Sequence, residues 1–439
     1  MIRSLLPIVL AFACVPTRSE LHRPVDAELA RRLGTDVRLD DAELAAWLAK
    51  PIDKATAVRI ALANNARVRG ALAELGIAAG GFRSPFGATT IQLEYRAGDG
   101  GELEGAIMQE ILGVFTAART RAAARADVAA GQAAAIALAL RVAVRVETAF
   151  HDLIASQRML ELRRDAFDAA DAAALVRERM HAAGTASDLA QARDRDAREQ
   201  ARIELARAEA TALLRRESIN ALLGLSGDQT KWTVTGTLPE LPAAAPAIDT
   251  LEATAVAASL ALAGGRARAD AAANHAADQR LRSVLPHLSA GVAVSNHDDV
   301  TRVGPAIELG LPLFDWNSAG RTRANAEQRR ASHELTAIAV ELRAGARSAR
   351  ITALATYGEA KHLREVVLPL RQQILDETIK HYNAMDADPF ALILARRELA
   401  EAHQQFTDAL RRFANAMAVV RGLERGVLLD RSDDEEGQR

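Results

Sequence analysis

The chain has 439 residues, enough for two or three domains or for one large unit. Apolar residues make up 49% of the sequence but aromatic residues only 4%, so small residues supply much of the apolar total, alanine above all. Alanine has the highest helix propensity, which favours long packed helices over a bulky globular core. The formal net charge of -2 argues against a nucleic-acid-binding protein. The single cysteine excludes an internal disulfide framework and a multi-cysteine metal site.

The first residues have the pattern of an export signal. Arg3 precedes a short apolar run at 5–12, which is too short to span a membrane as a helix. Ala11 and Ala13 are small residues at the two positions that a signal peptidase reads, so we expect export. Cleavage after Ala13 would leave Cys14 at the mature N-terminus, where bacterial lipoproteins carry their lipid. The alternative is an ordinary cleaved signal with an incidental thiol. No other apolar run reaches membrane-spanning length, which leaves strands to cross the membrane.

The rest of the sequence contains landmarks that recur at a nearly constant offset, which predicts an internal duplication. The matched landmarks are Ile52 and Ile248, Arg119 and Arg321, and the breaks near Gly184 and near Met385. We therefore expect six segments along the chain. They are a signal peptide at 1–13, an N-terminal extension at 14–50, a first repeat at 51–238, a linker at 239–247, a second repeat at 248–426 and a charged tail at 427–439.

Four stretches alternate between apolar and polar residues, as β-strands with two unlike faces do. They form two predicted pairs, 91–97 with 105–113 and 288–296 with 305–313. In the last stretch, Ile307, Leu309 and Leu311 alternate with polar or small residues such as Glu308, so we expect these three side chains to face lipid in a transmembrane barrel. A soluble half-buried sheet predicts the same alternation, and periodicity alone does not separate the two.

Long helices are predicted after each strand pair. No proline occurs from 117 to 183, and Gly131 is the only glycine there, which predicts a helix about 100 Å long. Two stripes have the spacing of a coiled-coil seam. The first comprises Leu153, Leu160, Phe167 and Ala174, and the second comprises Leu363, Val367, Leu370 and Ile374. Pro369 predicts a bend or a local unwinding in the second half.

Two strand pairs, two long helical hairpins and an export signal together resemble the TolC-like outer-membrane efflux family, over nearly the whole mature chain. The most specific match is 304–315, which is similar to the family's last strand. The stretch at 57–65 is similar to its opening helix. The residues that resemble its two helical turns are Gly184, Thr185, Ser187 and Asp188, and then Tyr382, Asn383 and Met385. The second turn is most similar to that of lipoprotein members linked to metal-type efflux.

The resemblance implies a mainly α fold with a small β part, in which three chains form a twelve-stranded β-barrel continued by an α-helical coiled-coil tunnel. Such a homotrimer lies in the bacterial outer membrane and extends into the periplasm. It gives passive exit to small solutes or metal ions delivered by an inner-membrane pump through a periplasmic adaptor protein. The two turns would bind the adaptor, although ordinary turn chemistry accounts for any one of their residues equally well. Family members often narrow the pore with acidic residues, where this chain has Ala391 and Leu394.

The sequence contains no nucleophile elbow, no phosphate-binding glycine-rich loop and no His-Glu-x-x-His pair. We therefore expect no catalytic residue, no metal site and no cofactor. Two other functions stay open at this point. One is the exit duct of type I protein secretion, and the other is a periplasmic coiled-coil scaffold without a pore, which would not require amphipathic strands in duplicated positions.

Overall fold

A computed structural model describes residues 17–34, 44–80, 89–96, 102–297, 300–310 and 317–428. The predicted signal peptide, Cys14, Leu311 and most of the predicted tail lie outside these described residues. The described chain is mainly helical and contains one small antiparallel sheet, which confirms the predicted fold class at that level.

The elements follow one another in the predicted order. In the first half they are α1 (Arg18–Leu33), α2 (Leu44–Leu48), α3 (Lys54–Asn64), α4 (Ala66–Ala79), β1 (Thr89–Arg96), β2 (Glu102–Glu110), α5 (Leu112–Ala182) and α6 (Asp188–Leu223). In the second half they are α7 (Leu251–Ala258), α8 (Leu260–Val284), β3 (His287–His297), β4 (Val300–Gly310), α9 (Ser318–His362), α10 (Leu368–Asn383) and α11 (Pro389–Glu424).

Several local features recur between the two halves. A single residue with extended backbone, Asn65 or Ser259, separates the two helices that precede each strand pair. The last helix of each half, α6 or α11, has 36 residues. Each of these helices is followed by a glycine in the left-handed region, Gly224 with φ 69° and Gly426 with φ 89°, a backbone conformation that glycine adopts without steric cost.

The four strands form one antiparallel sheet in the order β1-β2-β3-β4, so the two predicted pairs are joined through β2 and β3. The strand predicted at 105–113 was too long at its end, because β2 stops at Glu110. The Ile111 amide still donates to the Leu288 carbonyl oxygen at 2.9 Å, but the Val114 amide donates to the Ile111 carbonyl oxygen at 3.0 Å. That bond already belongs to a helical turn, and α5 begins at Leu112.

The chain divides into two compact units. Unit 1 comprises Met1–Glu28, Gly70–Ala137 and Leu260–Glu341, and unit 2 comprises Leu29–Arg69, Leu138–Ser259 and Leu342–Arg439. Unit 1 contains the sheet, and unit 2 contains the breaks between α5 and α6 and between α10 and α11. In unit 2 the buried Trp232 donates its indole N–H to the Asn220 Oδ1 at 2.8 Å, so its one polar atom is satisfied.

Helix α5 has 71 residues and is the only described helix with a stretch long and apolar enough to cross a membrane. The expectation that no such stretch follows the signal peptide is therefore wrong by length and composition. More than half of that stretch is buried within the protein, as in the core helix of a soluble protein. The physical reason is its run of alanine, valine and leucine residues, which pack against other helices.

The predicted unwinding near Pro369 is confirmed. A π-helical turn spans Leu363–Val367, and α10 follows it with Pro369 as its second residue. Proline has no N–H to donate, and its ring clashes with the carbonyl group four residues earlier, that of Glu365, so the regular α-helical hydrogen bonding is interrupted there. The wider turn shifts the buried face by one residue. Leu375 is buried, whereas the predicted seam residues Leu370 and Ile374 are exposed, so that part of the second seam was wrong.

Candidate functional site

One face of the sheet is a continuous exposed apolar surface. Hydrogen-bond register places Ile91 opposite Ile107, and Ile107 opposite Val292, on the same face. Ile307 lies on this face opposite Ala290 and is 77% exposed. The other exposed apolar residues that the alternation places here are Val294, Val303 and Leu309. The structure therefore gathers two of the three predicted lipid-facing residues, Ile307 and Leu309, into a surface that all four strands build.

The opposite face is polar or closely packed where it is described. Met108 and Ser289 are buried on this face. The His287 Nε2 lies 2.9 Å from the Ser289 Oγ and 3.5 Å from the Glu308 carboxylate. Glu308 is adjacent to Ile307 in sequence, so the strand alternation directs the two side chains to opposite faces. The sheet thus has the two unlike faces that its sequence predicts.

The sheet ends in two strands, β1 and β4, that have a neighbour on one side only within the described chain. An open edge presents unpaired backbone N–H and C=O groups, which readily pair with another strand. An even number of antiparallel strands also leaves β1 and β4 running in opposite directions. A second copy could therefore continue the antiparallel alternation, β4 of one chain beside β1 of the next.

The break between α5 and α6 is a compact turn. Gly184 has φ 74°, and its amide donates to the His181 carbonyl oxygen at 2.8 Å. The Thr185 amide donates to the Met180 carbonyl oxygen at 2.9 Å, which completes a Schellman motif at the end of α5. Ser187 caps α6, because its hydroxyl accepts a hydrogen bond from the Ala190 amide.

The break between α10 and α11 repeats this geometry with a different residue at its centre. Met385 takes the left-handed position with φ 60°, and its amide donates to the Tyr382 carbonyl oxygen at 3.0 Å. The Asp386 amide donates to the His381 carbonyl oxygen at 2.9 Å. Asp388 then caps α11, three residues after Met385, just as Ser187 follows Gly184. Asn383 ends α10 and is exposed.

The predicted turn residues are therefore placed at two equivalent helix ends. Thr185, Ser187 and Asp188 are exposed, and the Asp188 carboxylate pairs with the His181 ring at 2.7 Å. Met385 is 96% exposed, although a methionine in the left-handed region is strained and an apolar side chain in water gains nothing. Two exposed turns of one geometry are suited to contact a partner, but hydrogen bonds within the first turn also account for its polar residues Thr185, Ser187 and Asp188.

A buried ionic cluster in unit 2 was not predicted from the sequence. Glu147 on α5 is 6% exposed, and its carboxylate lies 2.8 Å from the Lys54 Nζ and 2.6 Å from the Arg421 Nη2. Burial alone would raise the pKa of Glu147, but the hydrogen bond from Lys54 and the charges of Arg421 and Lys54 outweigh burial and hold the pKa below its ordinary value. The cluster joins the start of α3, the middle of α5 and the end of α11.

A second polar set lies one turn further along α5. The buried His151 contacts the Asn415 Oδ1 through its Nδ1 at 3.1 Å, and Asn415 in turn donates to the Asp152 carboxylate at 2.8 Å. Arg411 donates to the same carboxylate at 2.9 Å. Burial lowers the pKa of His151, because the buried environment disfavours the charged ring. Glu147 and His151 are spaced i, i+4 on the buried side of an apolar helix, and that spacing was the signal that could have revealed them.

Among the described residues, no group of three or more His, Cys, Asp or Glu side chains could hold a metal ion. The candidate site is therefore made of surfaces: one apolar sheet face, two sheet edges and two exposed helical turns.

No protein-family model and no curated relative matches the sequence. Solved structures do match the fold. The outer-membrane channel CmeC of Campylobacter jejuni is similar over 96% of this chain and 92% of its own, with a TM-score of 0.64 at 14% identity. The outer membrane protein VceC of Vibrio cholerae is similar over 94% of this chain and 100% of its own, with a TM-score of 0.62 at 17% identity.

A third match is CusC, a protein that forms a transmembrane channel. It is similar over 84% of this chain and 91% of its own, with a TM-score of 0.66 at 14% identity. These likenesses confirm the sequence resemblance at the level of the fold: the chain has the fold of the TolC-like outer-membrane channels.

Proposed function

We propose that this chain is the outer-membrane channel subunit of a tripartite efflux system. The observation that carries the proposal is the four-stranded sheet with one exposed apolar face, whose strands lead into two long helical hairpins. A contiguous apolar surface on a folded chain needs cover from lipid or protein. Strands that alternate apolar and polar side chains suit a barrel with lipid outside and water inside.

Closure of the barrel requires more than one copy. Four strands cannot close on themselves with acceptable strand tilt and shear, whereas three copies would supply twelve strands and leave no free edge. The opposite directions of β1 and β4 support an antiparallel join between neighbouring copies. In this homotrimer Glu308 and Ser289 face the water-filled lumen, and Ile307 and Leu309 face the outer-membrane lipid.

The transported material passes without covalent chemistry, so the chain acts as a passive duct and not as an enzyme. We infer that small solutes or metal ions reach it from an inner-membrane pump through a periplasmic adaptor protein. The two exposed turns, centred on Gly184 and Met385, are the surfaces proposed to contact the adaptor. Ala391 and Leu394 stand where the family resemblance implies acidic residues, so the proposed channel has no acidic ring at these positions.

Density-gradient fractionation of expressing bacteria tests this proposal. The chain is expected in the outer-membrane fraction, and the N-terminal peptide from that fraction is expected to carry diacylglycerol on Cys14. Recovery of the chain in the soluble periplasm would contradict the channel. Recovery in the outer membrane with an unmodified Cys14 thiol would contradict the lipid anchor alone.

A further inference from the structure

The strands meet their helices at one end of the sheet. Glu110, His287 and Gly310, the terminal residues of β2, β3 and β4, lie at this end. The start of α5 and the end of α8 lie beside it, because each is within a few residues of a strand end. If the sheet crosses the membrane, as the proposed function requires, the chain passes from hydrocarbon into the periplasm at this end of the sheet. The inference below rests on that function.

Along α5 and α8, exposed side chains change from apolar to basic with distance from this end of the sheet. Phe115 is exposed near the start of α5, and Arg119 and Arg125 follow without an intervening acidic residue. At the end of α8, Val284 is exposed next to the sheet and Arg280 lies one turn further away. Proteins at a membrane interface commonly place apolar side chains beside the hydrocarbon and arginines on the side nearer the water. The excess of arginine is local, since the whole chain has a formal net charge of -2.

A groove of about 580 Å³ lies between α8 and α9 in this region. Its lining residues are all basic or neutral and polar: Arg280, Asn325, Gln328, Arg329, Ser332 and His333. Arg280 donates to the Asn325 Oδ1 at 3.0 Å, which holds the guanidinium against α9. Arginines nearby are already neutralised by acidic partners, as Arg282 is by Asp278 at 2.9 Å. The groove lining contains no acidic residue, so it suits an anion.

The depth of the groove matches the lipid headgroups. Asn325 lies seven residues into α9, about 10 Å along the helix from Ser318. The polar layer of a bilayer is roughly 5–7 Å thick on each side, so the end of the groove at Arg280 and Asn325 lies just beyond it. Arg329 lies about 16 Å along α9 from Ser318, and its long side chain can extend back toward the headgroups. Val284 is exposed one turn from Arg280 on the same face of α8, so the acyl chains of a lipid whose phosphate is held here would lie beside an exposed apolar surface. Free phosphate would gain nothing from that surface.

We propose that this groove binds the phosphate of an anionic phospholipid in the periplasmic leaflet of the outer membrane, one lipid for each chain. The guanidinium groups of Arg280 and Arg329 supply the positive charge, and Asn325, Gln328 and Ser332 supply neutral hydrogen-bonding groups. The bound lipids would fix the height of the channel in the membrane.

A binding titration on purified protein in a neutral detergent tests the proposal. Dihexanoylphosphatidylglycerol is added and the midpoint of thermal unfolding is followed, with dihexanoylphosphatidylcholine and inorganic phosphate as parallel ligands. The altered chain carries Arg280→Gln and Arg329→Gln. The matched control carries Arg202→Gln and Arg207→Gln, two exposed arginines on α6 that leave the same net charge. Each groove arginine contributes about 1 kcal/mol of headgroup attraction, so the double variant should bind phosphatidylglycerol roughly 30-fold more weakly.

The unaltered chain and the control are expected to gain stability with phosphatidylglycerol only. Equal affinities in the double variant and the control would overturn the proposal, as would an equal response to phosphatidylcholine. An equal response to inorganic phosphate would overturn the lipid assignment. Arg329→Gln alone keeps the Arg280–Asn325 hydrogen bond and should weaken phosphatidylglycerol binding about fivefold. This single variant replaces the double variant in the test if the double variant does not fold. The assay requires no transport, so its failure with a chain that fractionates to the outer membrane leaves the proposed function standing.

Discussion

Glu147 shows what a buried charge does at the scale of one residue. Its carboxylate is held below its ordinary pKa in the folded chain, so it contributes stability above the unfolded pKa and loses that stability as the pH falls through the folded pKa. Glu147→Gln should lower the free energy of unfolding by about 2 kcal/mol at pH 7, less than for a fully buried pair because Lys54 and Arg421 are partly exposed.

The matched control is Glu161→Gln on the same helix. Glu161 is exposed and pairs with Arg158 at 2.8 Å, so its loss should cost less than about 1 kcal/mol. Denaturant unfolding of both variants from pH 7 into the acid range separates the two residues. The deficit of Glu147→Gln should shrink as the pH falls below the carboxylate range. A deficit that stays constant with pH would show that the charge of Glu147 does not stabilise the fold.

The two turns permit a prediction in which stability and binding change in opposite directions. Met385 is strained in the left-handed region, so Met385→Gly should raise the free energy of unfolding by about 1 kcal/mol. If the exposed Met385 side chain contacts the adaptor, the same change should reduce crosslinking to the adaptor. A more stable variant with undiminished crosslinking would contradict a docking role for Met385.

Gly184 offers a matched pair for the other turn. No atom lies within 4 Å of a Cβ built at Gly184, so Gly184→Ala adds backbone strain and little bulk. Gly184→Glu adds the same strain together with a long charged side chain. Only the glutamate variant should lose crosslinking to the adaptor, with trimer yield equal in both. Equal crosslinking in the two variants would leave Gly184 with a purely structural role.

At the scale of the element, the lipid-facing register of β4 can be tested by two adjacent residues. Ile307 lies on the exposed apolar face and Glu308 on the other. Arginine on the lipid face costs roughly 2–4 kcal/mol near the membrane midplane and little near the interface. Ile307 is a better position than Leu309, which is one residue from the end of the strand.

Ile307→Arg should therefore reduce the yield of assembled trimer in membranes far more than Glu308→Arg does. Trimer on a native gel, normalised to total chain, measures the difference. Equal yields from the two variants would contradict the assignment of Ile307 to the lipid face and Glu308 to the lumen.

The sequence predicts elements better than it predicts their contacts. Long proline-free stretches and alternating strands are local patterns, so α5 and the four strands could be predicted, as could the unwinding before Pro369. The join of β2 to β3 is a contact between residues far apart in the chain, and alternation carries no information on it. The seam at Leu370 and Ile374 was wrong because the π-helical turn adds a residue to the helical period. Lys54, Glu147 and Arg421 come from three distant segments, which no local pattern brings together.

At the scale of the whole molecule, the sheet of a single chain has an uncovered apolar face and two unpaired strand edges within the described residues. Its apolar face needs cover from lipid or protein, and its β1 and β4 edges have no neighbouring strand on one side within the described chain. The proposed homotrimer would satisfy both requirements, because twelve strands would close into a barrel whose outer surface is the apolar face. We therefore propose that the functional unit contains three chains.

The mass of the assembly extracted from the outer membrane tests that claim most directly. Native mass spectrometry after removal of the detergent gives the number of chains without reference to substrate, pump or adaptor. We expect a mass of three mature chains, each somewhat below the 46.9 kDa of the full sequence after loss of the signal peptide. A folded monomer or dimer as the dominant membrane-extracted species would contradict it, since neither can close the barrel.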